Sequence, residues 1–368
     1  MKRKIAIWIH GGIGNGNFSQ GYPMLKKIVD RLCIEFEVIV YSHTPPNVGY
    51  VNNRIPLKYP PRFVKSDKIG WLYLLYFFLQ DNRQRKFDVV IAFWGYPSGF
   101  FAALITKVLK IPGIISVLGA DSASIKSINY GIFHRHFPRM IATWSYQNCS
   151  VLLAISEFQA NRLKCFGITK NIRVLPWGVD SKMYHFTEKQ KNDTLQIIHV
   201  AHINPVKDQY TLLRAFAIIR KNRPAKLKIY GIDTMHGTMQ QFCIELGIEA
   251  DVEFCGVVPY HEMPNHYEKA TVMLHTALSE GQCMALTEAA ACGVLLAGTR
   301  VGILHDLGDE CGVVVETGDY EGLAKNVLVL LDHPVECKRR IENARAWSMS
   351  HNFEWTINEL TLLLQKIE

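Results

Sequence analysis

Two runs of short apolar segments alternating with amphipathic segments occupy most of the 368 residues. The apolar segments are rich in Val, Ile and Leu, which is typical of strands in a parallel sheet that is covered on both faces. A polar stretch at residues 188–194 separates the two runs. The pattern therefore predicts an α/β protein with two domains. The predicted strands are Ile5–Ile9, Glu37–Tyr41, Val89–Phe93, Ile114–Val117, Val151–Ile155 and Arg173–Pro176, followed by Gln196–Val200, Lys226–Tyr230, Val252–Cys255, Val272–His275, Val294–Ala297 and Gly312–Val315.

Helices are predicted between these strands, and ligands in open α/β sheets bind at the loops that follow the carboxyl ends of strands. We therefore expect two Rossmann-like domains, residues 1–180 and 181–353, that face each other across a central cleft. The predicted helices include Tyr22–Arg31, Gly99–Leu109, Glu157–Cys165, Gln209–Lys221, Met239–Leu246, Met284–Cys292 and Tyr320–Leu331.

The cysteines and the apolar runs indicate a cytoplasmic protein. Nine cysteines occur without a CxxC pair and without the Cys/His spacing of a zinc site, which favours a reducing compartment. The first apolar run ends after five residues at His10, which is too short for a signal peptide. The longest one, Trp71–Leu79, has nine residues, whereas a membrane-spanning helix needs about 20. We expect no segment that crosses a membrane.

Positive charge is concentrated in the first half of the chain. Residues 1–180 carry a net charge of +14 and the remaining residues carry −6, which gives +8 in total. This asymmetry predicts that the first domain meets an anionic partner. Because no arginine-rich helix or RNA-binding aromatic motif is present, we expect anionic lipid headgroups or a lipid-diphosphate acceptor rather than nucleic acid.

One aromatic segment of the first domain has two interpretations. Basic residues flank the run Trp71–Leu79, including Lys65 and Lys68 before it and Arg83 and Lys86 after it. Such flanks suit a helix that lies in a membrane interface. Apolar residues on all sides of the helix instead favour burial in the core.

The loop after the first strand is rich in glycine, with Gly12, Gly14 and Gly16. Glycine permits positive φ and lets backbone N–H groups approach a phosphate. The spacing does not fit GxGxxG, and the second strand ends in Tyr41-Ser42-His43 without an acid for a ribose hydroxyl, which argues against NAD. The loop is either a donor contact or a tight turn.

A second cluster, with His202 and Lys207, follows the first strand of the second domain. A lysine in a strand–helix loop can neutralise a departing diphosphate. Loop lysines are, however, more often simply solvated.

A third cluster contains two glutamates. Glu280 follows a strand, and Glu288 lies in a helix otherwise made of Met, Leu, Thr and Ala. A carboxylate buried in such a helix must have a partner, because its burial would otherwise cost several kcal/mol. The start of that helix, at Gln282–Ala285, offers N–H groups to an anion.

In order and spacing, these clusters resemble those of the retaining glycosyltransferases of family four, which have the GT-B fold. The resemblance covers nearly the whole second domain and, more loosely, the first. The stretches that carry it are Val200-Ala-His-Ile, Lys207-Asp, Leu213-Arg-Ala-Phe216, Val252-Glu-Phe-Cys-Gly256, Ser279-Glu-Gly, Glu288-Ala-Ala-Ala-Cys-Gly293, Val301-Gly-Ile and Gly312-Val-Val-Val-Glu-Thr-Gly-Asp319, with Phe87-Asp88-Val-Val, Leu118-Gly-Ala-Asp121, Ile155-Ser-Glu157 and Pro176-Trp-Gly-Val-Asp180 in the first part.

The resemblance implies roles for these residues. Glu288 is expected to bond the donor ribose, Glu280 to grip the transferred sugar, and Lys207 to face the donor phosphates. It also implies that a last helix, Glu354–Lys366, returns to the first domain, which then includes residues 354–368. The other residues expected at the donor are His202, the glycines Gly12, Gly14 and Gly16, the main chain at Gln282, Cys283, Met284 and Ala285, and, at the base, the main chain near Gly256 and Val258.

Two positions depart from the family pattern. His202 stands where an arginine is usual, and a neutral imidazole is a poorer counter-charge than a guanidinium. Leu118 stands where many members have a histidine. Near it, Asp121 is either a catalytic group that orients acceptor or sugar hydroxyls or a structural cap.

The reaction implied is transfer of a hexose-type sugar from a nucleoside diphosphate (NDP) sugar to a glycan or lipid-linked acceptor, with retention, in cell-surface polysaccharide or glycolipid synthesis. No cofactor or metal is expected, because Lys207 and backbone dipoles replace it and the chain has no Asp-x-Asp motif. An inverting transferase or an epimerase, with His10 or Asp121 as base, is an alternative. A non-catalytic carbohydrate-binding or scaffold subunit is another.

Overall fold

The computed structural model describes residues 1–11, 13, 23–46, 55–187 and 193–368. The chain divides into two compact units. The first comprises Met1–Ile155, Gln159–Pro176 and Thr356–Glu368, and the second comprises Ser156–Phe158 and Trp177–Trp355. Each unit contains a parallel sheet with flanking helices, so the predicted α/β class with two domains is confirmed.

The strands of the first unit match the predicted apolar runs to within two residues, except for the short strand Leu57–Lys58, which was not predicted. In the part of the chain that the structure describes, they are β1 (Lys4–Ile9), β2 (Glu37–Ser42), β3 (Leu57–Lys58), β4 (Val89–Phe93), β5 (Gly113–Ser116), β6 (Val151–Ala154) and β7 (Ile172–Val174). All pair in parallel, in the order β3-β2-β1-β4-β5-β6-β7. Every residue of β1, near the middle of this sheet, is buried.

Helices cover this sheet, and aromatic side chains fill the space between them and the strands. The helices are α1 (Pro23–Glu35), α2 (Asp67–Gln84), α3 (Ser98–Leu109), α4 (His136–Asn148) and α5 (Glu157–Cys165). The Trp8 ring of β1 stacks on Phe101 of α3 at 5.3 Å between centroids and on Trp71 of α2 at 6.3 Å.

Helix α2 has two different faces. Trp71, Leu74 and Phe78 are buried in the core of the first unit. Leu72 and Tyr76, on the other face, are exposed. Burial therefore accounts for one side of this aromatic segment only. Among the described residues, no helix is long and apolar enough to cross a membrane.

The second unit has the same layered construction. Its strands within the described residues are β8 (Leu195–Val200), β9 (Ala225–Tyr230), β10 (Val252–Gly256), β11 (Val272–His275), β12 (Leu295–Thr299) and β13 (Gly312–Val315). They form a parallel sheet in the order β10-β9-β8-β11-β12-β13. The helices are α6 (Gln209–Asn222), α7 (Thr238–Glu245), α8 (Met263–Lys269), α9 (Met284–Ala291), α10 (Ile303–Leu307), α11 (Tyr320–Leu331) and α12 (Pro334–Ser350).

The last helix, α13 (Phe353–Lys366), joins the first unit from Thr356 onward. The guanidinium of Arg3 donates hydrogen bonds to the carbonyl oxygens of Leu364, Gln365 and Ile367 at 2.6–2.9 Å. These carbonyls belong to the last turn of the helix and the residue after it, where some main-chain acceptors have no partner within the helix. Arg3 thus ties the end of the chain to the start of β1.

Candidate functional site

The loops after two neighbouring strands, β8 and β11, are hydrogen bonded to each other. Thr276 Oγ1 donates to the carbonyl oxygen of Asp208 at 2.9 Å, and the main-chain N–H of Leu278 donates to the carbonyl of Val206 at 2.8 Å. Neighbouring parallel strands end at the same edge of a sheet, so the loops that follow them lie close together. The two hydrogen bonds connect the loops that carry the second and third polar clusters of the sequence. Lys207 and Glu280 lie in the two joined loops.

Glu280 is the centre of this arrangement. Its Oε1 forms an ion pair with Lys207 Nζ and lies 2.7 Å from His275 Nε2. Burial alone would raise the pKa of the carboxyl group, but the charges of Lys207 and His275 outweigh it and lower the pKa to about 2. Glu280 is therefore an anion throughout the physiological range, and Lys207 supplies a cation beside it.

His275 is the last residue of β11 and is completely buried. Burial opposes its protonation, but the Cys283 sulfur and the Glu280 carboxylate raise its pKa to about 9. Its ring stacks on His199 at 5.6 Å between centroids. His199 is neutral, because burial and the neighbouring His275 lower its pKa to about 3. The His199 ring, with Nδ1 donating to the Leu274 carbonyl at 2.8 Å, is a fixed support for His275.

The turn that leads into α9 has an unusual backbone conformation. Cys283, at the N-cap, has φ of +77°, and Met284 begins the helix. Just before it, the Gln282 side chain holds both main-chain groups of Trp177, donating to its oxygen at 2.7 Å and accepting from its nitrogen at 2.8 Å. Gly302, at φ of +53°, packs so close that a Cβ there would lie 2.7 Å from the Gln282 carbonyl oxygen. The turn is thus fixed from two sides.

The start of α9 adds a second source of positive potential beside Lys207. The main-chain N–H groups of Met284 and Ala285 stand in its first turn, where N–H groups have no acceptor within the helix. The helix dipole adds partial positive charge there. Lys207 and the α9 N-terminus together suit a diphosphate anion.

Glu288 is buried inside α9, as the sequence required, and it has the partners that its burial demands. The Tyr260 hydroxyl donates to Oε1 at 3.1 Å, and the Tyr267 hydroxyl donates to Oε2 at 3.0 Å. Burial and the Glu288 carboxylate raise the pKa of Tyr267 well above its ordinary value, so this hydroxyl stays a donor. The carboxylate is thereby held in one orientation.

His202 lies in the loop after β8. Burial and the nearby Lys207 lower its pKa, so the ring is neutral at pH 7. Nδ1 accepts the main-chain N–H of Ile232 at 3.3 Å, which leaves the proton on Nε2. This position therefore offers a neutral donor where a guanidinium would offer a charge.

Gly256 is the last residue of the edge strand β10, and Val258 lies in the loop that follows it. Gly256 has φ of +66° and is exposed, and its carbonyl oxygen accepts the N–H of Gly231 at 2.8 Å. Val258 packs against the core. Gly12, Gly14 and Gly16 lie outside the described residues.

Asp121 lies in the first unit, at the carboxyl side of β5. Its carboxylate accepts main-chain N–H groups from Gly95 and Gly119, each at 2.7 Å, and from Leu118 at 3.2 Å. Burial raises its pKa, an effect that these donors partly offset. The contacts join two loops, as a structural cap would.

Three side chains of the site were not named from the sequence: His275, Tyr260 and Tyr267. The sequence does carry a signal for His275. It is a polar residue at the end of an apolar strand, which is unusual in a parallel sheet, and it stands five positions before Glu280. Neither tyrosine carries such a signal.

His275, Glu280 and Cys283 are also a candidate metal-ligand group within the part of the chain that the structure describes. One ligand atom from each lies within 4.8 Å of the others. The imidazole ring, however, lies between its two partners, with Nε2 facing Glu280 and Nδ1 facing Cys283. A single ion can use one of these nitrogens only, so the geometry fits a hydrogen-bonded row better than a metal centre.

Comparison with known proteins shows which families this chain matches. Residues 28–182 match the family described as Glycosyltransferase Family 4, and residues 180–347 match Glycosyl transferases group 1.

Two curated relatives are enzymes. The GDP-mannose-dependent monoacylated alpha-(1-6)-phosphatidylinositol monomannoside mannosyltransferase of Corynebacterium glutamicum is 29% identical over 227 residues, which are 56% of this chain and 58% of that protein. The match thus spans less than two thirds of that relative. The N-acetyl-alpha-D-glucosaminyl L-malate synthase of Bacillus anthracis is 28% identical over 365 residues, with 90% of this chain and 88% of that protein covered.

Among solved structures, the sucrose-phosphate synthase of Thermosynechococcus elongatus superposes with a TM-score of 0.83 at 16% identity and covers 99% of both chains. At this level of identity, the likeness concerns the fold.

Proposed function

Given that this chain belongs to the group 1 glycosyltransferases, enzymes with the GT-B fold, we propose that it transfers a hexose-type sugar from an NDP-sugar to a glycan or lipid-linked acceptor. The anomeric configuration is retained, and the product belongs to a cell-surface polysaccharide or glycolipid. The second unit binds the donor and the first unit binds the acceptor. The mannosyl and N-acetylglucosaminyl relatives support a hexose-type donor.

One observation carries this proposal: a cation, a fixed carboxylate and a helix N-terminus converge at the carboxyl edge of the second sheet. Lys207 and Glu280 are paired there, and α9 begins four residues after Glu280. Lys207 has three N–H donors, so it can contact Glu280 and a phosphate together. The carboxylate holds hydroxyls of the transferred sugar.

In the proposed reaction, the bond between the anomeric carbon and the diphosphate breaks first. Negative charge grows on the diphosphate, where Lys207 and the main-chain N–H groups from Gln282 to Ala285 stabilise it. The acceptor hydroxyl attacks from the face that the diphosphate leaves, and a departing phosphate oxygen takes its proton. No enzymic nucleophile is needed, and the configuration is retained.

The remaining donor contacts are proposed by position. Glu288, with its carboxylate oriented by two tyrosines, bonds the ribose hydroxyls. His202 donates its Nε2–H to the phosphates, and the main chain near Gly256 and Val258 contacts the base. Gly12, Gly14 and Gly16 are proposed as further donor contacts, and Asp121 is proposed to orient acceptor or sugar hydroxyls.

We also propose that no metal ion takes part, because Lys207 and the α9 dipole supply the positive charge that a cation would otherwise bring.

The acceptor is proposed to lie at an anionic membrane surface on the inner face of the cell membrane. The net charge of +14 on residues 1–180 supports attraction to such a surface. The exposed apolar face of α2, with Leu72 and Tyr76, adds a contact that is independent of charge.

The test is turnover of an NDP-sugar in EDTA, with the anomeric proton of the product followed by NMR. We expect a retained anomer, and we expect Lys207→Ala and Glu288→Ala each to abolish turnover while the far-ultraviolet circular dichroism stays unchanged. Full turnover in either variant would refute the assigned roles, an inverted product would refute retention, and a requirement for Mg²⁺ would refute metal independence.

A further inference from the structure

A thiol, an imidazole and a carboxylate stand in a row at the start of α9. His275 Nδ1 lies 3.8 Å from Cys283 Sγ, and Nε2 of the same ring lies 2.7 Å from Glu280 Oε1. Because the ring is completely buried and stacked on His199, both nitrogens stay directed at these partners. A histidine that is held by a carboxylate and faces a thiol is an arrangement that activates nucleophilic cysteines.

The other eight cysteines have less favourable surroundings. Cys292 is completely buried, and Cys165 on α5 is exposed. For the remaining six, burial raises the pKa and so suppresses the reactive thiolate. These are Cys33 and Cys243, with a pKa of about 11, Cys149, with a pKa of about 12, and Cys255, Cys311 and Cys337. Cys283 combines partial exposure with an activating partner, His275.

We propose that Cys283 is the site at which small thiol-directed electrophiles modify this protein, and that the modification blocks binding of the donor. The inference rests on the proposed function, because Cys283 immediately precedes the N–H groups of Met284 and Ala285 that are proposed to hold the diphosphate.

The chemistry is a simple displacement. With iodoacetamide, the Cys283 proton passes to solvent, while the protonated His275 ring, held by Glu280 through Nε2–H, faces the sulfur with Nδ1–H. The sulfur then forms a bond to the methylene carbon of the reagent, the carbon–iodine bond breaks, and iodide leaves. The attached carbamidomethyl group occupies the space in front of the α9 N-terminus, so it excludes a diphosphate there.

The first measurement is the labelling rate of each cysteine in the wild-type protein at pH 7, obtained by peptide mass spectrometry. Cys165 is the internal reference, since it is exposed on α5. We expect Cys283 to react roughly ten times faster. A rate no higher than that of Cys165 overturns the proposal.

The second measurement uses His275→Gln, which removes the imidazolium group that faces the sulfur. We expect the Cys283 rate to fall at least to that of Cys165, whose own rate does not change. An unchanged Cys283 rate in the folded variant overturns the proposal. If the variant does not fold, the ratio in the wild-type protein decides.

The third measurement places the thiol in the donor site. Millimolar GDP or UDP is expected to slow labelling of Cys283 and to leave Cys165 unaffected. Rapid labelling of Cys283 with no protection by either nucleotide contradicts the donor-site location. Donor turnover by unlabelled protein is measured in parallel. Turnover with slow labelling of Cys283 overturns this inference alone, whereas absence of turnover with any donor contradicts the proposed function itself.

Discussion

Glu280 shares one carboxylate oxygen between Lys207 and His275. Removing one partner of a buried ion pair leaves the other charge uncompensated, which lowers the free energy of unfolding by about 3–5 kcal/mol. Glu280 has two cationic partners, so the loss of one leaves its charge compensated by the other. At the residue scale, the pair has a consequence for the pH dependence of stability.

We expect His275→Gln to lower the free energy of unfolding by roughly 1–3 kcal/mol below pH 6.5 and by less above pH 9. The folded pKa of about 9 lies above the ordinary value of 6.5, so the contribution of protonated His275 is fully present below pH 6.5 and is lost as the pH rises through 9. Urea unfolding of both proteins at the two pH extremes measures the difference.

The matched control is His261→Gln, because His261 is exposed and also stands beside a glutamate, Glu262. Its effect on unfolding should stay within about 0.5 kcal/mol at either pH. A His275→Gln effect that grows with pH would contradict the assigned charge state.

Glu288→Gln is expected to lower kcat/KM for the donor roughly 10- to 100-fold, because a hydrogen bond to a charged group contributes about 1.5–3 kcal/mol. The amide keeps the size of the side chain and one acceptor for the tyrosines. Steady-state kinetics provide the measurement, and Glu262→Gln, at an exposed acid, should leave kcat/KM unchanged. Equal kcat/KM for Glu288→Gln and wild type would remove Glu288 from the donor site.

At single residues, the sequence was informative where burial of a polar group required a hydrogen-bond partner. A carboxylate in an apolar helix had to have a partner, and Glu288 has two, Tyr260 and Tyr267. The identity of the partners was not predictable, because Tyr267 is 21 residues away in the chain and only the packing of α8 on α9 brings it close. The sequence predicted a donor contact through the main chain of Cys283. The role of its thiol depends on the contact with His275, which only the fold shows.

At the element scale, strands were predicted well and helix faces poorly. Buried parallel strands are continuous apolar runs, so β4, β11 and β13 were predicted with their observed bounds. The edge strand β3 has two residues and leaves no such run. For α2, apolar residues on all sides of the helix concealed which face packs inward.

That exposed face of α2 leads to a prediction about membranes. Leu72→Ser is expected to weaken binding to vesicles of phosphatidylglycerol and phosphatidylcholine roughly tenfold, because inserting a leucine contributes about 1.5–3 kcal/mol. Co-sedimentation at low and high salt measures the binding, and high salt should weaken it as well.

The control for this experiment is Val335→Ser on α12 of the second unit, where an apolar residue even more exposed than Leu72 is lost. Its vesicle binding should equal that of the wild type. If Leu72→Ser and Val335→Ser bind alike, α2 is not the contact.

At the scale of the whole molecule, the chain crosses between units near its end. The polar stretch at 188–194 predicted where the second run of strands begins. The return of α13 to the first unit depended on resemblance, since its partners, such as Arg3, lie at the opposite end of the sequence. No local pattern contains such a contact.

We expect Leu364→Ala to lower the free energy of unfolding by about 2–5 kcal/mol, because Leu364 is 0% exposed and its removal leaves a cavity. Leu362→Ala, on the same helix at 44% exposure, should cost less than about 1 kcal/mol. Chemical denaturation of the two variants compares them directly. Equal losses would mean that α13 does not pack as described.

The most direct test of the central claim is a thermal-shift titration with UDP-, GDP-, ADP- and dTDP-sugars. We predict that at least one donor stabilises the wild-type protein, by about 2.7 kcal/mol at a concentration 100 times its Kd. The stabilisation should disappear in Lys207→Ala and persist in Lys228→Ala, a lysine that pairs with Glu253 instead. No shift with any donor, or the same shift in Lys207→Ala as in the wild type, would contradict a donor site at Lys207, Glu280 and the start of α9.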